Sequence, residues 1–313
     1  MTSERIRVLC IDDEARILRA LKALFRDHEV YTTTDPQEAI RWASAHDVDV
    51  VVCDQRMPKM QGIEVLREIR IAHPRAMRVL LTGYADLNAV IGSVNEGEVF
   101  RYVNKPWDNT ELRHIVHLAA RLSREAPVVA DGPVSDAEKE QARQHVGVLV
   151  IEDDPDTQQR LREILQSHYQ VRFATTAEKA LQVLEQQEVG VIISETALQH
   201  GDLTDLLKTL KRYHPHIATV VVTDRANAQV AIDLINEGQV FRLLLKPVRM
   251  GSCRLSVDAA VGRYWQLKQN PKAARRFVVA PKPEAQLPSW LSGGLLQRIK
   301  QLPERLGWRS RAG

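Results

Sequence analysis

The chain has 313 residues, a net charge of +3 and three cysteines, Cys10, Cys53 and Cys253. This length suits two domains of about 100 to 150 residues, each large enough to fold without staples, and the odd cysteine count with no metal-ligand spacing points to a reducing, cytoplasmic setting. No apolar run approaches the roughly 20 residues of a membrane span, and the opening MTSERIRVLC turns charged and then strand-like instead of reading as a signal peptide.

The first element is the β-branched run IRVLCI, followed by Leu18, Leu21, Leu24 and Phe25 at helical spacing. VDVVVC and RVLLTG are two further buried strands, and VFRYVN is another before Pro106. Strand and helix alternating in this way predict βαβ units, hence a parallel sheet with helices on both faces. In such sheets ligands gather at the carboxyl ends of the strands. The chemically interesting residues stand there: Asp12 and Asp13 after the first strand, Asp54 after the third, Thr82 after the fourth and Lys105 after the fifth.

Residues 125–145 form a Pro-, Ala- and acid-rich linker, helical at its end. Beyond it the chain repeats itself. EGEVFRYVNKP at 96–106 returns as EGQVFRLLLKP at 237–247, an offset of 141 that also places His73 on His214, Thr82 on Thr223 and Lys105 on Lys246. Upstream the offset is 140, so that CIDDEAR aligns with VIEDDPD and one residue is gained near Tyr169, in a connection.

From residue 265 the alternation stops. Ten Lys and Arg against two acids give residues 265–313 a charge of +8, leaving −5 on the first 264. Within this tail Leu295, Leu296, Ile299 and Leu302 line one face of a short helix, which Pro303 is expected to interrupt, with Trp290 and Trp308 on either side. A basic amphipathic segment of this kind has three outlets: an anionic membrane surface, a partner's groove, or the chain's own domains. Docking on protein is expected.

Three carboxylates on one strand edge repel each other unless a cation sits among them, and hard oxygen ligands without His or Cys suit Mg²⁺. A threonine hydroxyl and a lysine ammonium could hold the oxygens of a phosphoryl group beside that metal, with a carboxylate as nucleophile.

Together Asp12-Asp13, the segment DQRMP that begins at Asp54, Thr82-Gly83 and Lys105-Pro106 resemble the receiver domain of bacterial two-component response regulators. The resemblance implies an α/β architecture of two doubly wound, five-stranded parallel-sheet (flavodoxin-like) domains: a phosphorylatable receiver at 1–124 and a pseudo-receiver at 146–264, followed by the basic, mostly irregular tail. It further implies that Asp54 accepts a phosphoryl group from a sensor histidine kinase or phosphotransfer protein. Mg²⁺ would be held by Asp13, Asp54 and the backbone carbonyl of Arg56, with Asp12 acting through water. Thr82 and Lys105 would contact the phosphoryl oxygens, and Tyr102 would be the aromatic switch.

In the second copy the corresponding residues are Glu152, Asp153, Glu195, Thr223 and Lys246. Glu195 replaces the acceptor Asp54, and its extra methylene misplaces the nucleophile. Two readings stay open: a phosphate-mimicking carboxylate, and a decayed site in which the acid neutralises Lys246. Tyr102 becomes Leu243, which removes the aromatic readout and favours a docking or dimerisation module.

EGEVFRYVNKPWDNTEL is similar to receivers that precede HD-GYP phosphodiesterases, but His46-Asp47 is the chain's single HD and lies before the third strand. No enzyme activity is expected. Output is expected through an unidentified downstream protein, with a homodimer among the allowed assemblies. The rivals are a nucleic-acid regulator acting through the tail and a phosphoryl sink without output.

Overall fold

The computed structural model describes residues 5–83, 99–125, 127, 135–199, 201–224, 228–238, 240–277 and 294–305. The chain divides into two compact units, residues 1–128 and 129–313.

In the first unit β1 (Arg7–Ile11), α1 (Ala15–Leu24), β2 (Glu29–Thr33), α2 (Pro36–Ala45), β3 (Val50–Asp54), α3 (Gly62–Ala72), β4 (Met77–Thr82), β5 (Arg101–Asn104) and α4 (Asn109–Glu125) follow one another. All strand pairs are parallel, in the order β2-β1-β3-β4-β5. The central strands are buried along their whole length, as VVVCD and MRVLLT require when helices cover both faces. Asp35 caps α2 by accepting the Gln37 N–H, with Pro36 in the first turn.

A buried ion pair closes the opposite end of this sheet. Asp49, 2% exposed, receives Nε and Nη2 of Arg124 at 3.1 and 2.6 Å and the backbone N–H of Arg7 at 2.8 Å. Burial works against the Asp49 carboxylate, but these donors outweigh it and hold its pKa below the ordinary value.

The second unit opens with α5 (Asp136–His145), capped reciprocally by Ser135 and Glu138. Then come β6 (Gly147–Ile151), α6 (Pro155–Leu165), β7 (Gln170–Ala174), α7 (Ala177–Gln186), β8 (Val191–Ser194), a short antiparallel hairpin of β9 (Ala197–Leu198) and β10 (Gly201–Asp202), and α8 (Thr204–Tyr213). β11 (Ala218–Thr223), α9 (Ala228–Gly238), β12 (Arg242–Leu245) and α10 (Met250–Gln269) complete the repeat. Its parallel order, β7-β6-β8-β11-β12, is that of the first sheet, so both units are doubly wound α/β domains. At the position of Asp49 the second unit has Gly190, and the Tyr264 ring occupies the space: a Cβ on Gly190 would stand 2.4 Å from its Cδ1.

Three features depart from the sequence reading. The helix at the end of the 125–145 segment belongs to the second unit, since Ala142 lies in its core and Arg143 Nε donates to Asp258 Oδ1 at 2.9 Å. The residue gained before Tyr169 falls in the helix, α6 having 11 residues where α1 has 10. In the tail, α10 runs to Gln269, a 3₁₀ segment follows at Pro271–Phe277, and α11 (Gly294–Arg305) continues through Pro303 instead of stopping there. A proline withholds its N–H from the carbonyl four residues back, here that of Ile299, and His214 Nε2 takes that oxygen at 2.7 Å. Trp290 and Trp308 lie outside the described residues.

Candidate functional site

Parallel register places the ends of β1, β3 and β4 side by side, with Ile11 beside Cys53 and Asp54 beside Leu81. Thr82 pairs with Asn104, which brings Lys105 to the same edge. Lys105 Nζ donates to Asp12 Oδ2 at 2.6 Å and forms an ion pair with Asp54 Oδ1 at 2.5 Å. Both carboxylates are buried, Asp12 completely. Their other oxygens are also used: Asp54 Oδ2 accepts the Arg56 N–H at 2.7 Å, and Asp12 Oδ1 accepts the Glu14 N–H at 2.9 Å.

Burial pushes the Asp12 carboxyl above its usual pKa even though Lys105 and the Glu14 N–H oppose the shift. Burial alone would lower Lys105, but its bonds to Asp12 and Asp54 prevail and raise it. Thr82 is buried at the same edge, its hydroxyl donating to the Gly83 carbonyl at 3.3 Å, and Tyr102 is buried on the neighbouring strand. Cys10 and Cys53 are buried free thiols whose pKa values burial raises, so they behave as small apolar residues.

Asp13 stands next to Asp12 in sequence. It is exposed, and among the described residues no three His, Cys, Asp or Glu side chains form a metal-ligand set. Of the three carboxylates expected to converge, Asp12 and Asp54 share the Lys105 ammonium. Asp12 is buried and Asp13 exposed, and the buried Asp12–Asp54 pair takes its positive charge from the lysine. The donor chemistry still fits Mg²⁺: the two carboxylates that share one ammonium are hard oxygen donors, and Asp13, adjacent in sequence, offers a third.

Gly62 and Gln55 were not singled out in the sequence, yet they shape the loop after Asp54. A Cβ on Gly62 would stand 2.0 Å from the Asp54 carbonyl oxygen, so only glycine lets α3 begin so close to the acceptor strand. The Gly62 N–H donates to the Gln55 carbonyl at 3.0 Å, and the Ile63 N–H to Gln55 Oε1 at 3.2 Å. The signal available was a glycine eight residues after the acidic strand end.

In the second unit Lys246 Nζ bridges Glu152 Oε2 at 2.7 Å and Glu195 Oε2 at 2.8 Å. Burial works to lower the pKa of Lys246, and the two carboxylates more than reverse that. Glu195 Oε1 accepts both the N–H and the hydroxyl of Thr196, at 2.7 and 3.0 Å. Having given its proton to Glu195, the Thr196 hydroxyl accepts from Thr223, 3.3 Å away. Asp153 Oδ2 receives the Gln199 N–H at 2.6 Å, which ties the second acid of the pair to the loop. Thr196 was missed because it replaces Gln55, a position to which no chemistry was assigned. Leu203 stands where the first unit has Gly62.

The response regulator receiver domain family matches residues 8–117 and 148–258. Among similar proteins, the hydrogenase transcriptional regulatory protein HoxA of Cupriavidus necator is 37% identical over 108 residues, covering 34% of this chain and 22% of its own length. The regulatory protein AtoC of Escherichia coli is 35% identical over 118 residues, 37% of this chain and 25% of its own. The receiver domain of an HD domain-containing protein from Pseudomonas fluorescens shares 30% identity, covering 39% of this chain and 92% of that one with a TM-score of 0.38. The chain thus spans about a quarter of the length of the two curated relatives. With two matches that together cover more than half of its residues, the chain belongs to the response regulator receiver family and carries that domain twice.

Proposed function

We propose that this protein is a two-component response regulator whose first receiver accepts a phosphoryl group on Asp54, while its second keeps the fold without the reaction and serves as a protein-contact module. The observation that carries this reading is the contrast between the two strand edges. In the first, Asp54 offers a carboxylate held by one backbone N–H and one ammonium. In the second, the corresponding carboxylate is a glutamate held by Lys246, the Thr196 N–H and the Thr196 hydroxyl.

In the proposed reaction Asp54 Oδ1 attacks the phosphorus of a phosphohistidine on a histidine kinase or phosphotransfer protein. The P–O bond forms, the P–N bond breaks, and the electron pair returns to the imidazole, which takes up a proton. Asp13, Asp54 and the Arg56 carbonyl would hold Mg²⁺, with Asp12 acting through water. When bound, the cation offsets negative charge on the transferring group. Lys105 transfers its contact from Asp54 to a phosphoryl oxygen, and the Thr82 hydroxyl turns from the Gly83 carbonyl to another. Tyr102, already buried beside β4, is the side chain proposed to follow the threonine.

Output is assigned to protein contacts in preference to nucleic acid, because part of the tail's positive charge is spent internally: Arg298 pairs with Glu178 and Glu185. The two curated relatives are named as regulators, HoxA as a transcriptional one, and the matched part of each is a fraction of its length. The test is transfer from a labelled phosphohistidine donor. Label should pass to the wild-type chain and to Glu195→Gln, and should fail to pass to Asp54→Asn; transfer to Asp54→Asn at the wild-type rate would reject the assignment.

A further inference from the structure

α11 is joined to the 3₁₀ segment by residues 278–293 and packs across α7 and α8 of the second receiver. Leu296, Ile299 and Leu302 are at most 4% exposed, which places three apolar side chains at three-residue spacing against that face. Arg298 clamps the contact from the polar side: Nε and Nη2 donate to the two oxygens of Glu185 at 2.7 and 2.9 Å, and Nη1 donates to Glu178 at 2.6 Å.

The third element is the exchange between Pro303 and His214. The Ile299 carbonyl, deprived of its helical donor by the proline, meets His214 Nε2 at 2.7 Å. Since a carbonyl can only accept, Nε2 carries the proton. His214 itself is 1% exposed.

The same face of the first receiver lacks these determinants. Under the repeat offset Glu178 and Glu185 become Gln37 and Ser44, and the counterpart His73 uses Nε2 to accept the Val48 N–H at 3.4 Å instead of presenting it to a helix. The acids and the donating histidine are therefore properties of the copy that has lost the aspartate acceptor.

We propose that the α7–α8 face of the second receiver is a helix-recognition groove and that α11 is its ligand held in cis. The helix it fits is basic and amphipathic, with apolar residues three apart, an arginine next to the middle one and a proline four residues after it. A tether of this length presents α11 at an effective concentration on the order of millimolar, so the groove stays filled until a helix of the same chemistry outcompetes it. The inference does not depend on phosphorylation of Asp54.

The test uses the full chain with a protease site inserted within residues 278–293, and a labelled synthetic peptide of residues 288–313. The peptide should bind the cleaved, stripped protein at least tenfold more tightly than the intact chain, where α11 competes. A peptide carrying Arg298→Glu should lose that binding, and pairing it with Glu178→Lys, Glu185→Lys protein should restore part of it. Pro303→Ala in the peptide and His214→Gln in the protein should each weaken binding, with the double change costing less than the product of the two. Equal binding to intact and cleaved chains, or a peptide indifferent to Arg298→Glu, would overturn the proposal. The Arg298 comparison needs no substitution in the groove, so it decides even where a groove variant fails to fold.

Discussion

Replacing Lys105 and Lys246 in turn by methionine asks whether the two strand edges differ in kind. Each lysine bridges two buried carboxylates, Asp12 and Asp54 in one unit and Glu152 and Glu195 in the other, with lysine side chains 20% and 16% exposed. Removing one member of a buried ion pair leaves uncompensated charge, at a cost of about 3 kcal/mol once partial exposure is allowed for. At about 4 °C per kcal/mol for a domain of this size, each variant should lower the melting of its own unit by roughly 12 °C. Magnesium should then separate them. In Lys105→Met the freed Asp12 and Asp54, with Asp13 beside them, regain a positive partner. For a Kd on the order of 1 mM, 10 mM Mg²⁺ adds about 1.4 kcal/mol, or about 6 °C. In Lys246→Met, Asp153 is tied to the Gln199 N–H and Glu195 to Thr196, so Mg²⁺ should restore no more than NaCl of equal ionic strength. Calorimetry of the two variants with each salt measures this. Equal recovery in both, or recovery in neither, would refute the argument that only the first edge is a magnesium site.

Gly62→Ala places a methyl 2.0 Å from the Asp54 carbonyl oxygen, so α3 or β3 must shift; a loss of about 1–3 kcal/mol by denaturant titration and a slower phosphoryl transfer are expected. Arg124→Met leaves the buried Asp49 carboxylate to Arg7 alone, through its N–H at 2.8 Å and its guanidinium at 3.6 Å, and should destabilise the first unit by about 3 kcal/mol. Because the Asp49 pKa is depressed in the folded state, the stability it contributes is present above the unfolded carboxyl pKa and lost as pH falls through the folded one; Asp49→Asn should flatten that acid limb of the denaturation profile. Lys211 is buried, donates to the carbonyls of Pro215 and Ile217 at 2.7 and 2.9 Å, and has its pKa lowered by burial to about 7. Between that value and its ordinary 10.5 the unfolded chain binds the extra proton, so second-unit stability should rise with pH by up to about 1.4 kcal/mol per unit. Lys211→Met should abolish that slope, while His214 and His216, both lowered by burial, shape only the acid side.

The repeat made most of this architecture legible. Buried β-branched runs and the 141-residue offset locate both sheets, and the order of Asp12, Asp54, Thr82 and Lys105 along the chain is the order in which β1, β3, β4 and β5 deliver them to one edge. What a linear pattern could not convey was orientation. Asp12 and Asp13 read alike, but one is buried on Lys105 and the other exposed. Pro303 reads as a helix breaker until the His214 ring takes up the freed carbonyl, a contact between residues 85 apart in sequence. Thr196 gains its role only because Glu195 reaches far enough to accept its N–H and hydroxyl.

The central claim is a division between Asp54 and Glu195, and one measurement addresses it directly. The wild-type chain is incubated with a small phosphodonor and Mg²⁺, reduced with borohydride to trap any acyl phosphate, and its peptides are mapped by mass spectrometry. Trapping confined to Asp54, with Glu195 unmodified, is the expected result. Trapping at Glu195, or undiminished phosphorylation after Asp54→Ala, would contradict the account.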